Sequence, residues 1–158
     1  MAGKVTGDRP DTLIARLMQT QGAAVAAINS QMEIEMTAVR DDAVARAPVD
    51  DGYLEESIKL RNDGRRRSWS VYVDETTPAP EKTLPSGEVI ETPGRVVGDY
   101  AVIRHEDQYN LGPLSIQKDA GRGIVGRKFL ENAFGMRRDT MLRSLRAKLA
   151  WALSRRGY

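Results

Sequence analysis

The sequence predicts an α+β domain, in which long helices at both ends flank a small antiparallel sheet of three to four strands. Three observations support this. Apolar residues recur at helical spacing near both ends of the 158 residues, two-residue alternation is confined to the middle, and prolines and glycines concentrate there too. We expect one domain over residues 1–158, with a protruding Pro/Gly-rich loop or hairpin at 76–98.

The first long segment is predicted to be a helix. Asp11 can cap a helix that begins at Thr12, and Gly22 leaves open a division into two consecutive helices. Pro48 places the end near Arg46 or Ala47, because the residue before a proline disfavours helical dihedral angles. A helix of that length often packs against a neighbour. Its apolar face comprises Leu13, Leu17, Ala24, Ile28, Met32, Met36, Val39 and Ala43.

The middle of the chain is predicted to form the sheet. Asn62-Asp63-Gly64 supplies a turn, and Trp69, Val71 and Val73 alternate with polar residues as in a half-buried strand. The region 107–126 has no clear period and is expected to be irregular. The expected strands cover 57–61, 68–74, 88–91 and 100–104.

The C-terminal segment is predicted to be helical again. A helix starts near Lys128 and covers about two turns, Gly135 permits a bend, and leucines then recur at three- and four-residue steps from Leu142 to Leu153. Arginines and a lysine occupy the opposite face.

Charge is distributed unevenly along the chain. Residues 121–158 hold ten Lys/Arg and two acidic residues, which leaves fourteen basic and twenty acidic residues in the first 120. Such a split fits nucleic-acid binding, or copies that meet head to tail. The second interpretation is favoured because the basic residues lack interleaved aromatic residues. No stretch approaches the roughly 18 apolar residues of a membrane span, so no membrane partner is expected.

A search for catalytic or metal-binding groups gives little. His105, Glu106 and Asp107 suggest a metal site or a general base, but there is no second histidine or any cysteine to complete a zinc site. The glycines around Arg122 have the wrong spacing for a phosphate-binding loop. We therefore expect no catalytic residue, metal or cofactor. A hydrolase built on His105 and Glu106 is the least favoured alternative.

Three short blocks resemble a known family. The first, Ala-Pro-Val-Asp-Asp-Gly-Tyr-Leu-Glu-Glu-Ser-Ile, is predicted to end a helix, turn and start a strand; it contains Pro48, Val49, Asp50, Gly52, Leu54, Ser57 and Ile58. The second is Tyr-Ala-Val-Ile-Arg-His-Glu, with Tyr100, Ala101, His105 and Glu106. The third is Phe-Leu-Glu-Asn-Ala, with Phe129, Leu130 and Ala133. In this order the blocks resemble the head–tail joining, or tail-completion, proteins of tailed bacteriophages.

The resemblance implies a structural virion protein without enzymatic activity. It implies a neck subunit that forms a six- or twelve-fold homo-oligomeric ring in the host cytoplasm and contacts adjoining neck and tail proteins. Genomic double-stranded DNA would pass through the lumen without specific binding. The alternative is a nucleic-acid-binding module that uses Arg65–Arg67 and the basic C-terminal helix.

Overall fold

A computed structural model describes residues 10–49, 53–64, 68–78, 82–83, 89–90, 97–98, 101, 105 and 110–155. The chain divides into two compact units. The first unit combines Met1–Glu33 with Asp139–Tyr158, and the second is Ile34–Arg138. The fold is α+β, as the two sequence periods predict.

Helix α1 is one uninterrupted helix, Pro10–Arg46, that continues through Gly22. It begins at Pro10, so Asp11 lies inside its first turn and is not the residue before the helix. Proline suits this first position because its missing N–H would have no helical partner there. The end at Arg46 confirms the stop that Pro48 predicts.

A short helix, α2 (Tyr53–Ser57), lies between α1 and the first strand. The prediction that Leu54 enters a strand directly is therefore wrong. Leu54 and Ile58 are four residues apart, a spacing that suits a buried helical face as well as alternate strand positions. Both side chains are buried.

Strands β1 (Ile58–Asp63) and β2 (Ser68–Val73) form an antiparallel hairpin in which Asp63 faces Ser68. Strands β3 (Lys82–Thr83) and β4 (Val89–Ile90) form a second antiparallel pair, so the region 76–98 contains a hairpin. Within the described part of the chain the strands thus pair two by two. A single sheet of three to four strands is not confirmed.

The strand predicted at 100–104 is wrong at Ala101, the described residue within it. Gly98, Ala101 and His105 have helical backbone, and the Ala101 N–H donates to the Val97 carbonyl at 2.9 Å, the spacing of an α-helix. A four-residue apolar run does not distinguish a buried strand from a buried helical turn.

The C-terminal part contains two helices, α3 (Pro113–Asp119) and α4 (Phe129–Ser154). The expectation of irregular structure over 107–126 is wrong where α3 lies. Helix α4 continues through Gly135, where a bend was expected to be permitted, as one helix. One glycine costs a helix only about 1 kcal/mol.

The main hydrophobic core lies in the second unit. It combines the last turns of α1, helix α2, the first residue of β1, Val97, Ala101 and the first turns of α4. Val71 and Val73 of β2 pack against it, as their alternation predicts. The buried core residues are Val39, Ala43, Ala47, Leu54, Ile58, Val97, Ala101, Phe129 and Ala133.

Candidate functional site

The corner after α1 is built around the buried Pro48. The Ala47 N–H donates the last helical hydrogen bond, to Ala43, and Pro48 has no N–H with which to continue. The Ser57 hydroxyl donates to the Leu54 carbonyl at 2.7 Å. Asp50 and Gly52, predicted to make the turn, lie outside the described residues.

Helix α3 is joined to this corner through Ser115. Its hydroxyl oxygen accepts from the Val49 N–H at 2.8 Å, and the hydroxyl donates to the Val49 carbonyl at 2.9 Å. Ser115 is 2% exposed. One side chain thus satisfies both backbone groups of a residue 66 positions away.

Lys118 of α3 caps the C-terminus of α1. Its ammonium group donates to the carbonyls of Val44 and Ala47, at 2.6 and 2.8 Å, and to the carboxylate of Glu55 in α2 at 2.5 Å. The last carbonyls of a helix lack helical partners, and a cation also interacts favourably with the helix dipole there. Lys118 therefore holds α1, α2 and α3 together.

The glycine-containing loop after α3 is held by Asp119. This carboxylate accepts from the N–H groups of Gly123, Ile124 and Val125 at 2.6–2.9 Å. The bond from the Val125 N–H contributes most to holding the pKa of the Asp119 carboxyl below its ordinary value, and the other two bonds act in the same direction. These backbone N–H groups, of the kind that a phosphate-binding loop offers to a phosphate, thus bind the chain's own carboxylate.

The three blocks of the resemblance meet in the second unit. Ala47, Leu54 and Ile58 share the hydrophobic core with Ala101, Phe129 and Ala133, and Leu130 packs against it. Two backbone bonds add to this, from the Gly126 N–H to the Arg46 carbonyl and from the Lys128 N–H to the His105 carbonyl. The His105 ring meets the Phe129 ring edge-on, with centroids 4.9 Å apart.

His105 also lines a half-open cavity of about 300 Å³. The walls are mostly apolar, and Glu75 and Tyr72 supply polar groups. Glu106 and Tyr100 lie outside the described residues. Among the residues that are described, no group of three His, Cys, Asp or Glu side chains could hold a metal ion.

Few of the described side chains of the first unit are buried, in contrast to the second unit. None of the described side chains from Ile14 to Glu33 is buried, and the segment 139–155 buries only Met141 and Ala152. Large apolar side chains are exposed instead: Ile14, Leu17, Met18, Leu142, Leu149, Trp151 and Leu153. Exposed apolar clusters of this kind mark interaction surfaces.

Trp151 corrects one expectation about the basic helix. It lies between Lys148 and Arg155, whose cationic groups are 5.0 and 4.5 Å from the centre of its ring. An aromatic residue is therefore interleaved with the basic residues of α4. The basic turn Arg65–Arg67 lies outside the described residues.

Sequence reasoning missed Ser115, Lys118 and Asp119. A signal for their helix was present, because Pro113 suits the first helical position and Gly121 follows the end. Their partners could not be inferred, since each bond from Ser115 or Lys118 to the corner spans more than 60 residues.

No described helix is long and apolar enough to cross a membrane. Comparison with protein-family models, with curated proteins and with solved structures finds no match for this chain.

Proposed function

We propose that this chain is a structural virion protein of a tailed bacteriophage, a ring-forming neck subunit that joins the DNA-filled head to the tail. In this proposal it has no enzymatic activity, and it assembles in the host cytoplasm with adjoining neck and tail proteins. Its sheet comprises three to four strands that include β1 and β2.

The observation that carries the assembly role is the exposed apolar surface of the first unit. A helical segment as long as Ile14–Glu33 without one buried side chain is poorly stabilised by its own chain, because helices in proteins gain most of their stability from packing. Covering Ile14, Leu17 and Met18 with another subunit removes apolar surface from water. This exposure fits a part that is completed by assembly.

The resemblance supplies the kind of assembly. Its three blocks are far apart in the sequence and form one core, which supports their acting as a structural unit and not as an active site. The DNA passes through the lumen, where tight phosphate binding would slow its exit. We therefore expect few basic side chains on the inner wall of the ring.

Inactivating the gene in the phage that encodes the chain tests the proposal. The expected result is DNA-filled heads and separate tails that do not join, with joining restored by the wild-type protein supplied in trans. Particles with normally attached tails would refute the neck role. The mass of the purified protein and electron micrographs should also show rings of six or twelve copies.

Nucleic-acid binding is the second candidate function, and Trp151 between Lys148 and Arg155 is the observation that favours it. Aromatic side chains and arginines stack on bases, and basic residues neutralise phosphates. Affinity for duplex DNA that falls steeply with salt, and falls further in Lys148→Gln and Arg155→Gln variants, would favour this function. Weak binding that these substitutions leave unchanged would exclude it.

A further inference from the structure

The outer face of α1 in the second unit carries four residues at steps of four, three and four: Ile34, Ala38, Asp41 and Ala45. Ala38 is half-buried and the other three are exposed. This face lies opposite the buried residues Met36, Val39 and Ala43. Ile34 is 58% exposed, and so is the Asp41 side chain. Arg40 donates two hydrogen bonds to Oδ1 of Asp41, and Oδ2 takes no part in them.

Helix α4 in the first unit carries an exposed face with the same steps: Leu142, Arg146, Leu149 and Leu153. The helical spacing sets Arg146 among the leucines, so the expectation that it lies on the opposite face is wrong. The three leucines are 37–39% exposed although they are large and apolar. Met141 and Ala152, the buried residues of this segment, lie on a neighbouring face of the helix. The face with Met141 and Ala152 is the one that is fully covered, and the leucine face is left partly exposed within its own unit.

The two faces fit each other in one direction. Each spans about 16 Å, at 1.5 Å per residue. Antiparallel alignment gives four facing pairs: Leu142 with Ala45, Arg146 with Asp41, Leu149 with Ala38, and Leu153 with Ile34. Two large side chains then face alanines, which allows close helix packing, and the two charges face each other.

The alternatives fit less well. Parallel alignment sets Arg146 against Ala38 and Asp41 against Leu149, so each charge is desolvated by an apolar partner. Pairing α4 with α4 of another copy brings together two basic segments. Within residues 139–155 each has one acidic residue, Asp139, and four basic ones: Arg143, Arg146, Lys148 and Arg155. Like charges at an interface are unfavourable.

We infer that the leucine face of α4 in one copy packs antiparallel on the outer face of α1 in a second copy, with Arg146 paired to Asp41. The inference rests on the proposed function, since it assigns the contact between neighbouring subunits. Each copy therefore presents the leucine face of its α4 to one neighbour and the outer face of its α1 to another. Such a contact is heterologous and can repeat around a closed ring.

Cysteine cross-linking tests the register, because the natural chain has no cysteine. Ala38→Cys and Leu149→Cys proteins, one carrying a tag that changes its size, are mixed under mild oxidation. We expect the mixed disulfide to form well above either homodimer. A predominant Leu149→Cys homodimer, or a mixture that cross-links no faster than Ala38→Cys mixed with Arg143→Cys, would overturn the inference.

Charge exchange tests the pairing. Asp41→Arg or Arg146→Asp alone should weaken self-association about tenfold, and the double variant should recover most of it. Arg143→Asp makes the same charge change about 60° further around α4 from Arg146 and should have a smaller effect. Wild-type association without this rescue would overturn the inference and leave the ring proposal standing. A wild-type protein that does not self-associate in solution, together with cysteine variants that do not cross-link in particles, would overturn both.

Discussion

Replacing Lys118 by methionine should be among the most destabilising single changes near the corner. Methionine keeps most of the aliphatic stem but lacks the ammonium group. The carbonyls of Val44 and Ala47 then lose their charged donor, and the Glu55 carboxylate loses its cation. The α1–α2–α3 junction keeps its apolar contacts and loses the interactions that satisfy its polar groups.

The magnitude follows from the three bonds. A part-buried backbone carbonyl left without a donor costs about 1 kcal/mol, so the two carbonyls together contribute about 2 kcal/mol. The Glu55 side chain is 22% exposed, so water partly solvates its charge. Its lost partner adds about 1 kcal/mol, less than in a fully buried pair. We expect the free energy of unfolding to fall by about 3 kcal/mol.

Urea unfolding followed by circular dichroism at 222 nm measures this change. Lys128→Met is the matched control, because Lys128 pairs with Glu131 while both side chains are largely exposed, at 44% and 66%. That control should change the free energy of unfolding by less than about 0.5 kcal/mol. Adding Glu55→Gln to Lys118→Met should recover part of the loss. Equal effects of the Lys118 and Lys128 substitutions would refute the assigned role of Lys118.

The Asp119→Asn variant should be less stable at pH 7, because an amide cannot accept all three backbone bonds. The lowered pKa of Asp119 means that its contribution is present above about pH 4 and is lost as the pH falls further. Urea unfolding at pH 7 and pH 3 should therefore show a smaller acid-induced loss in the variant; an unchanged loss would contradict the assignment. The free energy of unfolding of both proteins should still fall in acid to some extent, because the pKa of Asp74 is also lowered, chiefly by its bond with the Thr76 hydroxyl. Gly98→Ala should destabilise by about 1–3 kcal/mol, because the new Cβ would lie 2.8 Å from Cβ of Glu75. Gly135→Ala should stabilise the protein slightly, because Gly135 lies in a helix and a new Cβ there would meet no atom within 4 Å. Thermal melting compares the two variants, and equal shifts in Tm would argue against close packing at Gly98.

Local patterns predicted the elements that local chemistry controls. Pro48 ends α1 because a proline cannot continue the hydrogen-bond ladder, whatever surrounds it. Strand β2 follows its alternation, and Val71 and Val73 pack against the core as predicted. Two of the errors, at Leu54 and Ala101, fall on short segments where an apolar spacing of a few residues fits either a helix or a strand.

The sequence by itself determined the α+β class, the end of α1 at the corner and the basic character of α4, since these depend on periodicity, proline geometry and composition. Only the tertiary structure decided what holds the corner in place. Ser115 and Lys118 bond to residues 63–74 positions away, and no local pattern specifies such partners. Tertiary structure also decided which apolar side chains are covered. Leu142 and Leu149 recur at helical spacing yet stay exposed, while Ala152 on a neighbouring face of α4 is buried, because burial depends on which face another segment covers and not on spacing alone.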